Sequence, residues 1–142
     1  MPYDLAGSRN GTIYGVVYQG GNYTLGAVFE LKLRRDGSWR YKIIHSFQGS
    51  EGYNPVGLIL DQQTGTLYGT TQNGGSSNFG TVFKLVRNGA VWDETVLHSF
   101  FGGGDGANPK IRPTLDTKTG TLYGVTASGG IYGNGAVYML SP

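Results

Sequence analysis

The chain has two histidines, His45 and His98, and each stands in the same triplet, His-Ser-Phe. Imidazole beside a hydroxyl is the raw material of nucleophilic and acid–base catalysis. The local geometry argues against that use here. Ser46 and Ser99 are immediate sequence neighbours of the histidines, and adjacent residues of a strand point to opposite faces. A metal site needs a cluster of ligands, whereas these two residues occupy equivalent places in separate repeat units, too far apart to share an ion. Both read as packing residues. Glu51 and Asp105 are also equivalent, and both read as turn residues. Asp105-Gly106 follows Gly102-Gly103-Gly104, but the alternating carboxylates of a calcium loop are missing. The same glycines lack the Gly-Lys-Ser/Thr ending and the helix of a phosphate loop. No Gly-x-Ser-x-Gly elbow is present, and Cys is absent, which removes thiolate nucleophiles and thiolate metal sites. No catalytic residue, metal ligand or cofactor is expected.

Aromatic side chains are the remaining resource. Tyr23, Phe79 and Tyr132 fall in three comparable connecting segments, one per repeat unit, and exposed aromatics amid Asn, Ser and Gly can stack on sugars or on proteins. They are the candidate ligand-binding residues.

What must position these residues is a repeat. Gly11-Thr-Ile-Tyr-Gly15, Gly65-Thr-Leu-Tyr-Gly69 and Gly120-Thr-Leu-Tyr-Gly124 recur at offsets of 54 and 55 residues. A glycine pair follows each, and then Gly26-Ala-Val-Phe29, Gly80-Thr-Val-Phe83 and Gly135-Ala-Val-Tyr138. Two copies continue into Trp39…Phe47 and Trp92…Phe100, then into Glu51-Gly-Tyr-Asn-Pro55 and Asp105-Gly-Ala-Asn-Pro109. A short apolar strand, Gly57–Asp61, completes the unit. Its third counterpart is interrupted by Arg112-Pro113, and a weak first version lies at Pro2–Leu5. Each unit thus holds four strands, A to D. Asp36-Gly37 and Asn88-Gly89 suit the C–D turns. Alternation places Trp39, Tyr41, Ile43, His45 and Phe47 on one face of D. Gly15, Gly69 and Gly124 weaken strand B unless something approaches closely, and the expected neighbour is the adjacent unit. Asp61 and Asp116 are expected to cap the A–B turns.

Four-stranded units at this period indicate an all-β fold of antiparallel β-propeller blades. The expected organisation is one array over 1–142, with blade 1 at 1–54, blade 2 at 55–108 and a partial blade 3 at 109–142. The motif order resembles the GloVer tandem repeat, a glycine- and valine-rich family of bacterial proteins that are often exported and surface-anchored. That resemblance implies a propeller-like fold and an extracellular or cell-surface setting, and it carries over no catalytic residue.

Composition agrees with short strands and tight turns: 26 glycines, 13% aromatic and only 14% charged residues. Net charge is +2, with no sustained basic stripe, so a nucleic-acid partner is not expected. No apolar stretch reaches the roughly 20 residues of a membrane-spanning helix, and no signal peptide is visible. Fewer than three complete blades would leave two apolar blade faces wet, so the expected partner is the chain itself, as a homodimeric six-blade ring, or further blades of a longer chain. The function expected is non-enzymatic binding, with glycans as the sharpest ligand class. A structural assembly subunit is the alternative, and a hydrolase or lyase on this scaffold is disfavoured.

Overall fold

The computed structural model describes residues 2–141 and contains three four-stranded antiparallel sheets. Sheet 1 is an up-and-down meander of β1 (Pro2–Gly7), β2 (Ile13–Val17), β3 (Ala27–Leu33) and β4 (Trp39–Ser46). Sheet 2 repeats it with β5 (Tyr53–Leu60), β6 (Leu67–Asn73), β7 (Thr81–Asn88) and β8 (Val91–Ser99). Sheet 3 holds β9 (Ala107–Pro109), β10 (Thr114–Leu115), β11 (Leu122–Ser128) and β12 (Val137–Leu140), with β9 and β10 both paired to β11. Its first strand is split because Pro113 cannot donate to the ladder; β9 and β10 flank that break. The weak opening segment at Pro2–Leu5 is a true strand, β1. Of the segments ending in Asn-Pro, Tyr53–Pro55 and Ala107–Pro109 belong to strand A, while Glu51 and Asp105 lie in the turn before it. Asn54 and Asn108 take positive φ (56° and 55°) inside or beside it, a conformation Asn tolerates better than most residues.

The sheets pack face to face in chain order. Between sheets 1 and 2, Tyr14, Val16, Val28 and Phe47 meet Leu58, Leu67, Phe83 and Leu85. Between sheets 2 and 3, Val82 and Phe100 meet Leu122, with Tyr68, Leu97, Leu115, Tyr138 and Leu140 around them. Each strand D sends its terminal phenylalanine edge-on into the strand C aromatic of the next sheet: Phe47 to Phe83 at 5.1 Å and Phe100 to Tyr138 at 5.3 Å between centroids.

Two sequence expectations need correction. The strand B glycines are not required by a neighbouring sheet. A Cβ on Gly69 would lie 2.5 Å from the ring of Phe83 in its own sheet, and Gly15 and Gly124 are overlain in the same way by Phe29 and Tyr138. The close approach is therefore an aromatic ring folded across its own sheet. The second correction concerns strand D. A bulge at Ile44 shifts the register from Ile43↔Phe29 to His45↔Val28. Directly paired residues share a face, so His45 and Phe47 turn toward sheet 2 while Trp39, Tyr41 and Ile43 face the other way. The same bulge at Leu97 turns His98 and Phe100 toward sheet 3.

The turns follow their residue types. Asp61 accepts hydrogen bonds from Gln63 N (2.9 Å) and Thr64 Oγ1 (2.7 Å), and Asp116 does the same with Lys118 N and Thr119 Oγ1 at 2.9 Å. Each Asp carboxylate thereby folds the A–B turn onto itself, and these bonds hold it below the usual carboxylate range. Gly89-Ala90 makes a two-residue C–D turn, whereas Arg34–Ser38 forms a longer one closed by Arg34 N donating to Ser38 O at 2.8 Å.

Strand A residues converge where the three sheets meet. Asp4 of sheet 1 accepts from Leu58 N of sheet 2 at 3.2 Å and from Arg112 Nη1, on the approach to sheet 3, at 3.3 Å.

Candidate functional site

The B–C connections lie at one end of the sheets and hold the three candidate aromatics. In each connection the last glycine donates back to the first: Gly26 to Gly20, Gly80 to Gly74 and Gly135 to Gly129. Two residues before that closing glycine stands a positive-φ residue, Thr24 (62°), Asn78 (63°) or Gly133 (75°). Tyr23 and Tyr132 precede it, so they are equivalent. Phe79 follows it and corresponds to Leu25. Its carbonyl accepts Asn108 N at 2.7 Å, as that of Leu25 accepts Asn54 N at 2.8 Å, and its ring lies over Gly102. The three aromatics are exposed, Tyr132 at 89%, but they do not form a strict one-per-repeat series. Ser46 and Ser99 brace these connections by accepting Asn22 N (3.2 Å) and Ser76 N (2.8 Å).

The bulges bring each histidine to the acidic residue of the following turn. His98 Nε2 lies 3.0 Å from both carboxylate oxygens of Asp105. A carboxylate accepts, so the proton sits on Nε2. Asp105 also accepts Phe101 N at 3.0 Å. His45 Nε2 lies 3.1 Å from Glu51 Oε1 but is not aligned for a hydrogen bond; Glu51 instead accepts Gln48 N at 3.1 Å. Burial holds the His45 imidazole below its usual value, an effect that Glu51 partly offsets. Each ring stands edge-on to the phenylalanine two residues later, at 4.7 and 4.8 Å. These are structural clasps between strand D and the next turn. Sequence reasoning treated the two residue types separately. The available signal was that both repeats place an acid six or seven residues after the histidine; only the bulge makes them meet. Among the described residues, no group of three or more His, Asp or Glu is arranged to hold a metal ion.

Glu94 of β8 faces sheet 1. Its Oε1 is buried without a hydrogen-bond partner among the described residues. Burial, with a smaller contribution from Glu51, pushes its pKa up to about 7.

The other end of the sheets holds a groove of ≈ 360 Å³ between sheets 1 and 2. Its wall includes Trp92, half-buried and edge-on to Tyr14 at 5.6 Å. Arg9 and Arg87 flank it. Gln62 clamps the two turns across it, donating to Gly7 O at 2.7 Å and accepting Arg9 N at 3.2 Å. Arg87 Nε donates to Gly89 O at 3.2 Å. Among the described residues neither arginine forms a salt bridge with a carboxylate. The groove therefore combines an aromatic wall, two guanidinium groups, several amide and hydroxyl groups and one carboxylate, Asp61, whose oxygens are engaged by Gln63 N and Thr64 Oγ1. Nothing in the motif pattern marked it, because its residues come from three different turns and two repeats.

The repeat extends across all the described sheets, and comparison with known families agrees. A family model described as the Gloeobacter/Verrucomicrobia repeat matches residues 1–142. The chain belongs to this family. A curated protein, halomucin from Haloquadratum walsbyi, is 28% identical over 124 residues, covering 81% of this chain and 1% of halomucin. The chain thus corresponds to a very small part of that relative. Among the described residues no helix is long and apolar enough to cross a membrane.

Proposed function

We propose that this Gloeobacter/Verrucomicrobia repeat chain is a non-enzymatic binding module of β-propeller blades, working at the cell surface or outside the cell, and that the groove between sheets 1 and 2 takes an acidic saccharide. The observation that carries this reading is the pairing of Trp92 and Tyr14 with Arg9 and Arg87 around one groove. A sugar ring presents an apolar face that an indole covers well. A guanidinium matches a carboxylate or sulfate in two-pronged geometry. Ser8, Asn10 and Gln62 offer neutral partners for hydroxyl groups. The similarity to halomucin, by its name a mucin, supports the exterior setting. The propeller reading rests on two four-stranded meanders and a third sheet with a split first strand, stacked face to face in chain order, and on the convergence of Asp4, Leu58 and Arg112. A non-enzymatic role fits histidines held in structural clasps.

The test is titration with a uronate oligosaccharide and its neutral counterpart, followed by calorimetry. Saturable binding of the acidic sugar alone is expected, and Arg9→Ala or Arg87→Ala should weaken it about tenfold, the value of one charge-assisted hydrogen bond. Binding that survives both changes but is lost in Tyr23→Ala, Phe79→Ala or Tyr132→Ala would move the site to the opposite end. No saturable binding would end the saccharide reading.

A further inference from the structure

The β3–β4 hairpin concentrates the positive charge of the chain. Residues 30–42 carry five Lys or Arg against two Asp or Glu, a surplus of three, whereas the whole chain has a net charge of +2. Register sets two of these cations opposite one another, Lys32↔Arg40, and the next pair inward on the same face is Glu30↔Lys42. Directly paired residues share a face, and Tyr14↔Glu30 identifies that face as the one turned toward sheet 2. Glu30 is buried there, at 4% exposed, whereas Lys32 and Arg40 stand in solvent. Their exposure therefore belongs to the outer end of the hairpin, on a face that already has its neighbouring sheet.

Four cations line one hollow. Lys32, Arg34, Arg35 and Arg40, with Leu33, surround ≈ 310 Å³, and no carboxylate belongs to this lining. Arg40 Nη2 donates to Glu30 Oε1 at 3.1 Å. Among the described residues Lys32, Arg34 and Arg35 form no salt bridge. Asp36, in the turn itself, accepts Ser38 N at 2.9 Å and Ser38 Oγ at 2.7 Å, so its carboxylate holds the turn together. The repeat does not require this arrangement. Phe29↔Ile43 matches Phe83↔Val96, which puts Val86↔Asp93 of sheet 2 where sheet 1 has Lys32↔Arg40. Like charges directly opposite on paired strands are destabilising. A cationic cluster that one repeat carries, that the next lacks and that opposes stability points to an anionic ligand.

We propose that the β3–β4 hairpin is a second binding site, for a sulfated polysaccharide. The hollow shares no lining residue with the groove between sheets 1 and 2. A uronate sugar brings one oxyanion per ring, whereas a sulfated sugar can bring several, which suits four cations around one hollow. Each guanidinium matches two sulfate oxygens in two-pronged geometry. All four cationic side chains are exposed, so a lone small anion is held weakly against water. A chain that engages several of them together gains from multivalency and from counterion release. Leu33, 53% exposed, offers the apolar face of a sugar ring a support that an inorganic polyanion cannot use.

Dextran sulfate should bind saturably where neutral dextran does not. Its affinity should fall roughly 40-fold from about 50 to about 200 mM salt, the loss expected when about three cations are neutralised. Arg34→Gln/Arg35→Gln should weaken binding about tenfold. Lys110→Gln/Lys118→Gln removes the same charge from exposed positions elsewhere, and it should change affinity less than about twofold, because distant surface charges are screened. A cooperative unfolding transition checks that each variant folds, and the salt dependence of the parent chain tests the site without any variant. No saturable binding overturns the inference. So do equal losses in the two double variants, or a salt dependence of only a few-fold. Binding lost in Arg9→Ala but kept in Arg34→Gln/Arg35→Gln assigns the sulfated chain to the groove and also overturns it. Binding of polyphosphate, single-stranded DNA or anionic vesicles through Arg34 and Arg35, with none of dextran sulfate, overturns the saccharide assignment. The groove is tested with uronates through Arg9 and Arg87, so its reading stands or falls separately.

Discussion

The contact between sheets 1 and 2 and the contact between sheets 2 and 3 are built from the same repeat, yet they differ in depth. In the first, four strands face four. Leu58, Leu67, Phe83 and Leu85 are fully buried, and Trp92 and Glu94 of strand D close the outer margin against sheet 1. In the second, the described part of sheet 3 has no strand D and its strand A is broken. Only Leu122 is fully buried on that side, and Tyr138 and Leu140 remain partly open. The difference shows where the stability of a unit resides. Strands B and C make the central contact, strand D seals it, and an intact strand A supplies the leucine that fills the inner margin.

Substitutions can break this comparison. The largest effect is expected for Phe83→Ala, which removes a fully buried ring gripped by Phe47 and should cost about 3–5 kcal/mol. Tyr138→Ala, its counterpart in the shallower contact, should cost clearly less. Denaturant unfolding of the two variants measures the gap, and equal losses would mean the contacts are equivalent.

Gly69→Ala places a Cβ 2.5 Å from the Phe83 ring and 2.7 Å from Gly57 O. Neither neighbour can retreat within the deeper contact, so the overpacking should cost about 1–3 kcal/mol. Gly124→Ala meets the less confined Tyr138 and should be milder. The same unfolding experiment ranks the pair.

Glu94 sharpens the comparison through pH. Its folded pKa of about 7 stands above its ordinary 4.5, so between those values the native state keeps a proton that the unfolded chain releases. Stability should therefore fall as pH rises from 4.5 toward 7. Glu94→Gln should flatten that limb and stabilise the protein above pH 7 on the order of 1 kcal/mol, after allowance for solvent screening. His45 acts in the opposite sense: its imidazole is lowered, so stability falls as pH drops below its usual value, and that limb should persist in the Glu94→Gln variant. Melting temperatures across the pH range separate the two. The smallest effect is expected for Arg112→Ala. Its half-exposed contact with Asp4 at 3.3 Å should be worth less than about 1 kcal/mol and fade with added salt.

Much of the architecture was legible from residue types alone. The period, the A-to-D strand order, the Asp61 and Asp116 turns and the interruption at Arg112-Pro113 all depend on neighbours within a few residues, and short-range chemistry is written in short-range sequence. The face assignment of strand D failed at His45 and Phe47 because one bulge inverts a period-2 pattern, and no local residue announces the bulge. The reason for Gly15, Gly69 and Gly124 was misplaced because the ring above each comes from a strand more than ten residues away. Tyr23 and Tyr132 were rightly aligned, but Phe79 was not. In that connection the aromatic stands on the other side of the positive-φ residue, a distinction of backbone angle rather than of composition.

By itself the sequence determined that this chain is a repeat of four short antiparallel strands with fixed turn chemistry, since strand period and turn residues act locally. Only the tertiary structure decided which residues meet across that scaffold: His45 with Glu51, His98 with Asp105, and Trp92 and Tyr14 with Arg9 and Arg87 in one groove. Those meetings depend on bulge positions and on how one sheet stacks against the next, and stacking is a property of whole faces that no single repeat contains.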